Sequence, residues 1–111
     1  MMGNDFMKNI TRKEELVLLS ILILEDYAYL IAIQEHLSRV MGRPVSLTSV
    51  HLPLSRLEKR GLIRSRLGDA EAVRGGRRKK IYRVSRRGLE ALNAYKRISD
   101  DLWDGYLSST T

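Results

Sequence analysis

Apolar residues recur along the chain at the spacing of helix faces, and they predict four helices. The first is expected to begin after Thr11, because Thr11 and Glu14 form a capping-box pattern in which each side chain reaches the other residue's backbone N–H. This helix runs to about Glu25 and is apolar almost all round between Leu16 and Leu24. A helix with so little polar surface needs cover on several sides. We therefore expect the last helix or a second subunit to pack against it.

The second helix is expected from about Tyr29 to Met41, where apolar residues follow helical spacing. Asp26 is a candidate N-cap, and Gly42 is a candidate C-terminal stop. His36 lies on this helix with no second histidine one turn away and no cysteine in the chain. We therefore expect His36 to be an exposed surface residue rather than a metal ligand.

The third helix is expected from about Leu47 to Arg60, with Ser46 as its N-cap and Gly61 at its end. Its buried stripe is formed by four apolar residues at helical spacing, which are Leu47, Val50, Leu54 and Leu57. Pro53 lies inside this helix and removes one backbone donor. We expect a kink near Ser49–Pro53 rather than a break, because the apolar stripe continues through it.

The opposite face of the third helix combines small hydroxyl side chains, a histidine, a leucine and basic residues. Its members are Thr48, Ser49, His51, Leu52, Ser55, Arg56 and Lys59. Such side chains can hydrogen-bond base edges or phosphates in a major groove, and Leu52 can contact a thymine methyl group. The alternative is a face that is simply exposed to solvent. Arg56 is the weaker candidate, because Arg56 and Glu58 can instead pair with neighbours and fix the following hairpin against the helix.

Two short segments after the third helix, Leu62–Leu67 and Ile81–Val84, predict a β-hairpin. Arg64, Arg66 and Arg83 alternate with apolar positions there, which predicts one dry and one basic face. The stretch that leads into the second strand holds five basic residues within seven, with two glycines and no acid. These five are Arg74, Arg77, Arg78, Lys79 and Lys80. A hairpin with such a cationic loop can reach a polyanion.

The last helix is expected from about Arg86 to Leu107, with Ser85 as its cap. At about 22 residues it would be about 33 Å long, which is long for the three-helix body that precedes it. Its apolar stripe is therefore expected to pair with a copy of itself or with the first helix of a partner. The residues predicted to form this dimer contact are Leu16, Leu19, Leu92, Tyr95, Ile98, Leu102 and Tyr106.

Positive charge is concentrated in the middle of the chain. The formal net charge is +7, but the segment Arg56–Arg87 alone holds 13 basic and three acidic residues, a net of +10, while the rest carries −3. A basic centre between neutral-to-acidic flanks is the footprint expected of a nucleic-acid-binding protein. A solvated charged face is the alternative, but the glycine-containing loop favours a binding role.

Other classes of function are disfavoured by the composition. The 111 residues include no cysteine, which excludes disulfides, thiolate catalysis and cysteine-based metal sites. The longest apolar run, Leu16–Leu24, is too short to span a bilayer and makes a poor signal peptide, so we expect a cytoplasmic location. No paired carboxylates, nucleophile–base pair or metal-ligand spacing occurs. We therefore expect neither an enzyme nor a bound cofactor or metal.

Taken together, these motifs resemble the PadR family of transcriptional regulators over roughly 13–92. The tract Tyr27-Ala28-Tyr29 is similar to one in the family, although Gly is common there at the position of Ala28. The residues from Leu54 to Ile63 (LSRLEKRGLI) look like the family's recognition helix leading into the first wing strand. The most specific similarity is Gly75 to Ser85 (GGRRKKIYRVS), followed by Gly88, at this distance after the recognition helix.

The resemblance implies a winged helix-turn-helix fold, α+β and mostly α, with three helices, a two-stranded wing and a long C-terminal dimerisation helix. Residues 1–10 are then a flexible arm, 11–85 the DNA-binding domain and 86–111 the dimerisation helix. Members of this short branch are homodimers, and several bind small planar or hydrophobic effectors near the dimer interface. His51 stands where the family usually has Tyr, and Pro53 stands one residue later than in many members, so the resemblance leaves the operator sequence open.

The leading hypothesis is a homodimeric, sequence-specific repressor that binds double-stranded DNA at an inverted repeat. Three aromatic residues of the last helix could hold a small hydrophobic or aromatic effector: Tyr95, Trp103 and Tyr106. Packing within the dimer is the alternative role for these rings. The rival hypothesis is a winged-helix protein–protein interaction module whose basic wing binds an acidic partner.

Overall fold

A computed structural model of the chain describes residues 9–68 and 78–110. Within these ranges it has four α-helices and one two-stranded antiparallel sheet, in the order α1 (Arg12–Leu24), α2 (Leu30–Met41), α3 (Leu47–Lys59), β1 (Ile63–Leu67), β2 (Lys80–Val84) and α4 (Arg86–Ser109). This is the predicted order of three helices, a hairpin and a long last helix. Most of the predicted N-terminal arm lies outside the described residues, and so does 69–77, which includes Arg74 and Arg77.

Helix α1 begins as the capping-box pattern predicts. The Thr11 hydroxyl accepts a 3.1 Å hydrogen bond from the backbone N–H of Glu14, and the Glu14 carboxylate accepts one of 2.9 Å from the backbone N–H of Thr11. The inner face of the helix is buried, whereas three large apolar side chains on its outer face are exposed: Leu19, Leu22 and Ile23. Within one chain, the cover that was expected for α1 is therefore incomplete.

Helix α2 starts without the predicted cap. Its N-cap residue is Tyr29, no side chain caps it, and Asp26 lies in the short 3-10 turn Glu25–Tyr27 that joins α1 to α2. The carbonyl of Ala28 accepts a 2.8 Å hydrogen bond from the backbone N–H of Tyr82 on β2. The prediction for Asp26 was wrong because this bond to the sheet holds the chain extended beyond Asp26, so that the helix begins later.

His36 on α2 is half-buried, and its Nδ1 lies 2.8 Å from the hydroxyl oxygen of Ser20, a buried residue of α1. The prediction of an exposed surface histidine was therefore wrong. Its physical reason is that α2 packs against α1 on this side, which places a polar position of α2 at the contact between the helices.

The predicted glycine stops of α2 and α3 are confirmed. Gly42 follows α2 with a φ of 69°, and Gly61 follows α3 with a φ of 75°. Both values lie in the left-handed region, which glycine enters without a steric penalty. The two glycines therefore end α2 and α3.

Helix α3 is capped as predicted, since the Ser46 hydroxyl accepts a 3.1 Å hydrogen bond from the backbone N–H of Ser49. It continues through Pro53 without a break. Three residues of the predicted stripe are fully buried: Val50, Leu54 and Leu57. The prediction for Leu47 was wrong, because this first residue of the helix is exposed and lies outside the core cluster.

The strands pair antiparallel, with Arg64 directly opposite Arg83. Arg66 shares their exposed face, whereas Ile63 and Tyr82 are buried on the opposite face. This confirms the predicted dry and basic faces of the hairpin. The dry face packs on the helices, so the hairpin is fixed to the body at its base.

Ser85 caps α4 as predicted and also ties that helix to the end of α3. Its hydroxyl accepts a 3.1 Å hydrogen bond from the backbone N–H of Gly88 and donates one of 2.7 Å to the carbonyl of Gly61. A side chain at Gly88 would not fit, because its Cβ would lie 2.2 Å from the carbonyl oxygen of Leu62. The close backbone contact at Gly88 therefore fixes where α4 leaves the body.

Helix α4 has 24 residues, which corresponds to about 36 Å. Ala91 and Leu92 are buried in the core near its start. Its second half carries five large apolar side chains that are all exposed: Ile98, Leu102, Trp103, Tyr106 and Leu107. The helix therefore extends away from the body with an uncovered apolar stripe.

Candidate nucleic-acid interface

The outward face of α3 presents most of the residues that were predicted to read DNA. Five of them are exposed: Thr48, His51, Leu52, Arg56 and Lys59. Ser49 and Ser55 are half-buried. The Ser49 hydroxyl donates a 2.9 Å hydrogen bond to the carbonyl of Ser46, so it takes part in the helix cap. Leu52 is 51% exposed, and an apolar side chain held out in this way suits contact with a base methyl group.

The base of the wing lies next to α2 and α3 and carries three exposed basic residues: Arg78, Lys79 and Lys80. The Lys79 ammonium lies 4.3 Å from the centre of the Tyr29 ring, and that of Lys80 lies 5.4 Å from the centre of the Tyr82 ring. Tyr29 is half-buried and Tyr82 is buried, whereas both lysines are exposed. Each contact therefore places a lysine at the surface, with its ammonium group against an aromatic ring.

Glu58, near the end of α3, joins the hairpin to this helix. Its carboxylate accepts a 2.6 Å hydrogen bond from the Ser65 hydroxyl on β1 and one of 3.3 Å from the Lys80 ammonium on β2. The bond from Ser65, helped by Lys80, lowers the pKa of Glu58 despite the opposing effect of burial. Burial would lower the pKa of Lys80, but Tyr82 and Glu58 outweigh it and the pKa is raised. Lys80, a predicted phosphate contact, is therefore also a link within the protein.

Glu14 belongs to this surface as well, although sequence reasoning found only its role as a cap. Its side chain is 2% exposed, and its carboxylate lies 3.3 Å from the Arg56 guanidinium and 3.4 Å from that of Arg60. Arg60 also donates to the backbone carbonyl of Asn9. No local pattern signals these contacts, because Glu14 and Arg56 are 42 residues apart in the chain. Arg56 thus has a partner within the protein, which agrees with its being the weaker candidate for a DNA contact.

A cavity of about 350 Å³ opens between the start of α2, the middle of α3 and the base of the wing. Its apolar walls include the side chains of Tyr29, Ile31 and Tyr82, and its polar groups are those of His51, Lys79 and Lys80. The structure therefore brings a predicted base-reading residue and two predicted phosphate contacts to one place. Sequence reasoning missed this cavity, since its walls come from three separate parts of the chain.

The aromatic residues that were predicted to hold an effector are only partly together in one chain. The rings of Trp103 and Tyr106 lie edge to face, with centroids 6.2 Å apart and planes at 74°. Both side chains are exposed. Tyr95, two turns earlier on α4, is half-buried and packs against the core. Trp103 and Tyr106 are therefore the exposed aromatic pair of α4.

The seven residues predicted for the dimer contact differ in exposure. Leu92 is buried in the core, and Leu16 and Tyr95 pack against that core. The exposed members of the set are Leu19, Ile98, Leu102 and Tyr106. They lie on the outer face of α1 and on the second half of α4, so these two surfaces are the ones available to a partner.

Within residues 9–68 and 78–110, no group of three or more His, Cys, Asp or Glu side chains is arranged to hold a metal ion. In the same part of the chain, none of the helices combines the length and the apolar character that crossing a membrane requires. Three acidic residues of α4, Asp100, Asp101 and Asp104, are exposed, and Asp100 pairs with Lys96 at 2.7 Å.

No protein-family model and no curated protein matches the sequence, but several solved structures resemble the fold. A PadR family transcriptional regulator from Eggerthella lenta is 26% identical, with a TM-score of 0.62 over 83% of this chain and 80% of its own. A PadR family transcription regulator from Clostridium difficile is 28% identical, with a TM-score of 0.56 over 83% of this chain and 97% of its own. A PadR-like transcription factor from Bacteroides fragilis is 19% identical, with a TM-score of 0.68 over 90% and 93%.

These similarities confirm the predicted winged-helix fold and the resemblance that the sequence motifs indicated. The structure from Bacteroides fragilis supports the fold alone, because its sequence identity is low. The proteins from Eggerthella lenta and Clostridium difficile are transcription regulators by name, which agrees with the prediction that this chain is not an enzyme.

Proposed function

We propose that this PadR-like protein is a sequence-specific, DNA-binding transcription regulator that acts as a homodimer. The observation that carries the proposal is the surface on which the exposed face of α3 meets the base of the wing, with His51, Lys79 and Lys80 around one cavity. The wing and the end of α3 belong to the segment Arg56–Arg87, which has a net charge of +10. An exposed helix face beside a concentrated positive charge suits a duplex, which offers base edges in its groove and phosphates on both sides of it.

In this proposal α3 enters the major groove and reads the sequence. Thr48, His51 and Leu52 are the exposed candidates for base contacts. The Thr48 hydroxyl and the His51 imidazole can donate to or accept from base edges, and Leu52 can meet a thymine methyl group. Ser49 and Ser55 are half-buried, so we give them a smaller part in base reading.

The basic residues around α3 contact phosphates and supply affinity for any sequence. We assign this role to Arg56 and Lys59 on α3 and to the wing residues Arg74, Arg77, Arg78, Lys79 and Lys80. For Lys79, a phosphate would replace the contact with the Tyr29 ring, which lies 4.3 Å from its ammonium. A charge-assisted hydrogen bond to phosphate is stronger than an exposed cation–π contact, so the exchange favours binding.

The proposal divides the chain into a DNA-binding domain at 11–85 and a dimerisation helix at 86–111. Leu102 is 71% and Trp103 60% exposed on α4, and Ile23 on α1 is also exposed. Apolar surface of this extent calls for a partner. A two-fold pairing of α4 with its copy and with the partner's α1 would cover both helices. Two α3 helices would then read an inverted repeat with half-sites about 10 bp apart.

We further propose that the dimer represses transcription, since a protein held on an operator blocks access to that duplex.

A small hydrophobic or aromatic effector at the exposed pair Trp103 and Tyr106 would shift the dimer between DNA-binding and released states. Trp103 is the only tryptophan, so its fluorescence reports such binding. Unchanged emission across a panel of hydrophobic cations and phenolic acids would argue against an effector there. We also propose a cytoplasmic location, since the longest apolar run, Leu16–Leu24, is too short to span a bilayer and makes a poor signal peptide.

Fluorescence anisotropy of a labelled, mixed-sequence duplex tests the DNA ligand directly. The expected result is binding at low salt that weakens steeply as salt is added, because bound cations release counterions from the duplex. Absence of binding at low salt would overturn the proposal. It would favour the rival function, in which the basic wing binds an acidic protein.

A further inference from the structure

The cavity between α2, α3 and the base of the wing has apolar walls. Contact with a DNA backbone does not require such walls. Surfaces that bind DNA are polar and strongly positive. In this cavity, however, the side chain of Ile31 is 49% exposed and forms an apolar wall together with the half-buried Tyr29 and the small exposed part of Tyr82. A volume of about 350 Å³ is within the range of small-molecule sites. The cavity is thus built for a ligand that has an apolar body.

The polar groups of the same cavity favour an anion. Lys79 and Lys80 contribute ammonium groups and His51 contributes an imidazole. The Lys80 ammonium forms an ion pair with the Glu58 carboxylate, at 3.3 Å. Lys79 makes no ion pair with any carboxylate in residues 9–68 and 78–110, where its contact is the Tyr29 ring. An anion that enters the cavity would therefore meet the Lys79 ammonium, whose charge is not neutralised by any carboxylate within residues 9–68 and 78–110.

We propose that this cavity binds a free nucleoside monophosphate. Its base would lie against Tyr29 and Ile31, and its phosphate would lie on Lys79 and His51. Aromatic side chains stack on the face of any base, and several cationic donors suit a phosphate, which accepts several charge-assisted hydrogen bonds. The base would displace the Lys79 ammonium from the Tyr29 ring, and the ammonium would follow the phosphate.

This inference rests on the proposed function, because it makes the nucleotide a competitor of DNA for His51, Lys79 and Lys80. Bound DNA also contains bases and phosphates that can enter this cavity. A duplex, however, presents base edges in its grooves and keeps the faces stacked, and exposing a face costs unstacking energy. The apolar walls of the cavity can contact the face of a base. A free nucleotide offers this face without the unstacking energy that a base of the duplex requires.

Isothermal titration calorimetry of the full chain with AMP and with GMP tests the site directly. Adenosine lacks the phosphate and ribose 5-phosphate lacks the base, so each is expected to bind at least about tenfold more weakly than the nucleotide. Pyrophosphate, at matched ionic strength, serves as the control for charge alone. The proposal is overturned if neither nucleotide binds at millimolar concentration, or if pyrophosphate binds as tightly as AMP.

A pair of variants on one helix locates the site. Ile31→Ala removes part of the apolar wall and leaves every charge in place, so nucleotide affinity should fall about fivefold while duplex affinity is unchanged. Val40→Ala is the matched control, because Val40 is exposed near the other end of α2, and it should change neither affinity. Lys79→Gln should weaken both ligands. If Ile31→Ala bound AMP as tightly as the wild type, the nucleotide would lie elsewhere and the proposal would fail.

Competition with a labelled duplex separates this inference from the proposed function. AMP is expected to displace the duplex from the wild type, and AMP binding without displacement would contradict the shared site. If the duplex binds and neither AMP nor GMP does, the nucleotide site fails and the proposed function stands. If AMP binds and the duplex does not, the proposed function fails and the nucleotide site stands. A last outcome concerns single-stranded DNA. If AMP does not bind, but Ile31→Ala weakens the binding of a single-stranded oligonucleotide, the cavity belongs to a base of DNA and the proposal is overturned.

Discussion

The carboxylate of Glu58 accepts a 2.6 Å hydrogen bond from the hydroxyl of Ser65, which joins α3 to the first strand of the wing. The same carboxylate reaches the Lys80 ammonium on the second strand, at 3.3 Å. One residue of the proposed recognition helix therefore holds both strands of the hairpin. If α3 and the wing approach DNA as a unit, Glu58 sets the angle between them.

Glu58→Gln is expected to lower the free energy of unfolding by about 1 kcal/mol, because the amide weakens the bond from Ser65 and loses the charge facing Lys80. The ion pair contributes little of this, since both side chains are more than a third exposed. Chemical denaturation measures the change. Glu35→Gln, at an exposed position of α2, is the matched control and should have no effect.

The same variant has a defined pH dependence. The pKa of Glu58 is lowered in the folded state, chiefly by the bond from Ser65. Its stabilising effect is therefore fully present above the ordinary pKa of a glutamate and is lost as the pH falls through the lowered value. The difference between wild type and Glu58→Gln should shrink in acid, and a difference that stays constant there would show that the charge of Glu58 is not involved.

Glu14→Ala is expected to cost about 2 kcal/mol of stability, because it removes a cap of α1 and a buried acceptor for two arginines. Lys13→Ala is the matched control on the same helix. Lys13 is exposed at the neighbouring position, so this change should cost only a few tenths of a kcal/mol, on the order of a surface substitution. Equal losses in denaturation for the two variants would rule out the role assigned to Glu14.

Arg78→Gln and Lys79→Gln are each expected to weaken binding to every duplex and to flatten its salt dependence. Each phosphate contact contributes about 0.9 to the slope of log K against log salt concentration, so each variant should reduce the slope by about that amount. Lys96→Gln is the control, because Lys96 lies on α4 and pairs with Asp100. Anisotropy titrations at several salt concentrations give the slope, and a slope equal to that of the wild type would remove the residue from the phosphate contacts.

Leu102→Asp is expected to convert the dimer into monomers, because it places a charge in the apolar stripe of α4 that the proposal buries between subunits. Leu102 is among the most exposed apolar residues of the helix. Asn93→Asp adds the same charge at an exposed position near the start of α4 and should leave the dimer intact. Sedimentation velocity distinguishes the two states. A wild-type protein that is monomeric at micromolar concentration would contradict the dimer.

Elements whose chemistry is local could be predicted from the sequence. The capping box of Thr11 and Glu14, the cap at Ser46 and the cap at Ser85 each act within three residues. Side chains such as these choose the ends of helices wherever the helices later pack. The hairpin faces followed in the same way, because alternation along a strand is set by its backbone.

Features that depend on packing between elements could not be predicted from local patterns. Asp26 fails as a cap because the sheet holds the residues after it extended, and His36 is half-buried because α2 meets α1 there. The cavity depends on the wing lying beside α2, which the contact between Lys79 and Tyr29 marks. Its walls come from segments far apart in the chain, and no spacing rule connects them.

Selection of bound DNA from a random pool tests the central claim most directly. The wild type should enrich an inverted repeat with half-sites about 10 bp apart, and His51→Ala should enrich a repeat with the same spacing but altered preference within each half-site. Spacing would then report the dimer, and the altered positions would report base reading by α3. Enrichment of no motif by a protein that binds duplex DNA, or an unchanged motif for His51→Ala, would contradict sequence reading by this face of α3.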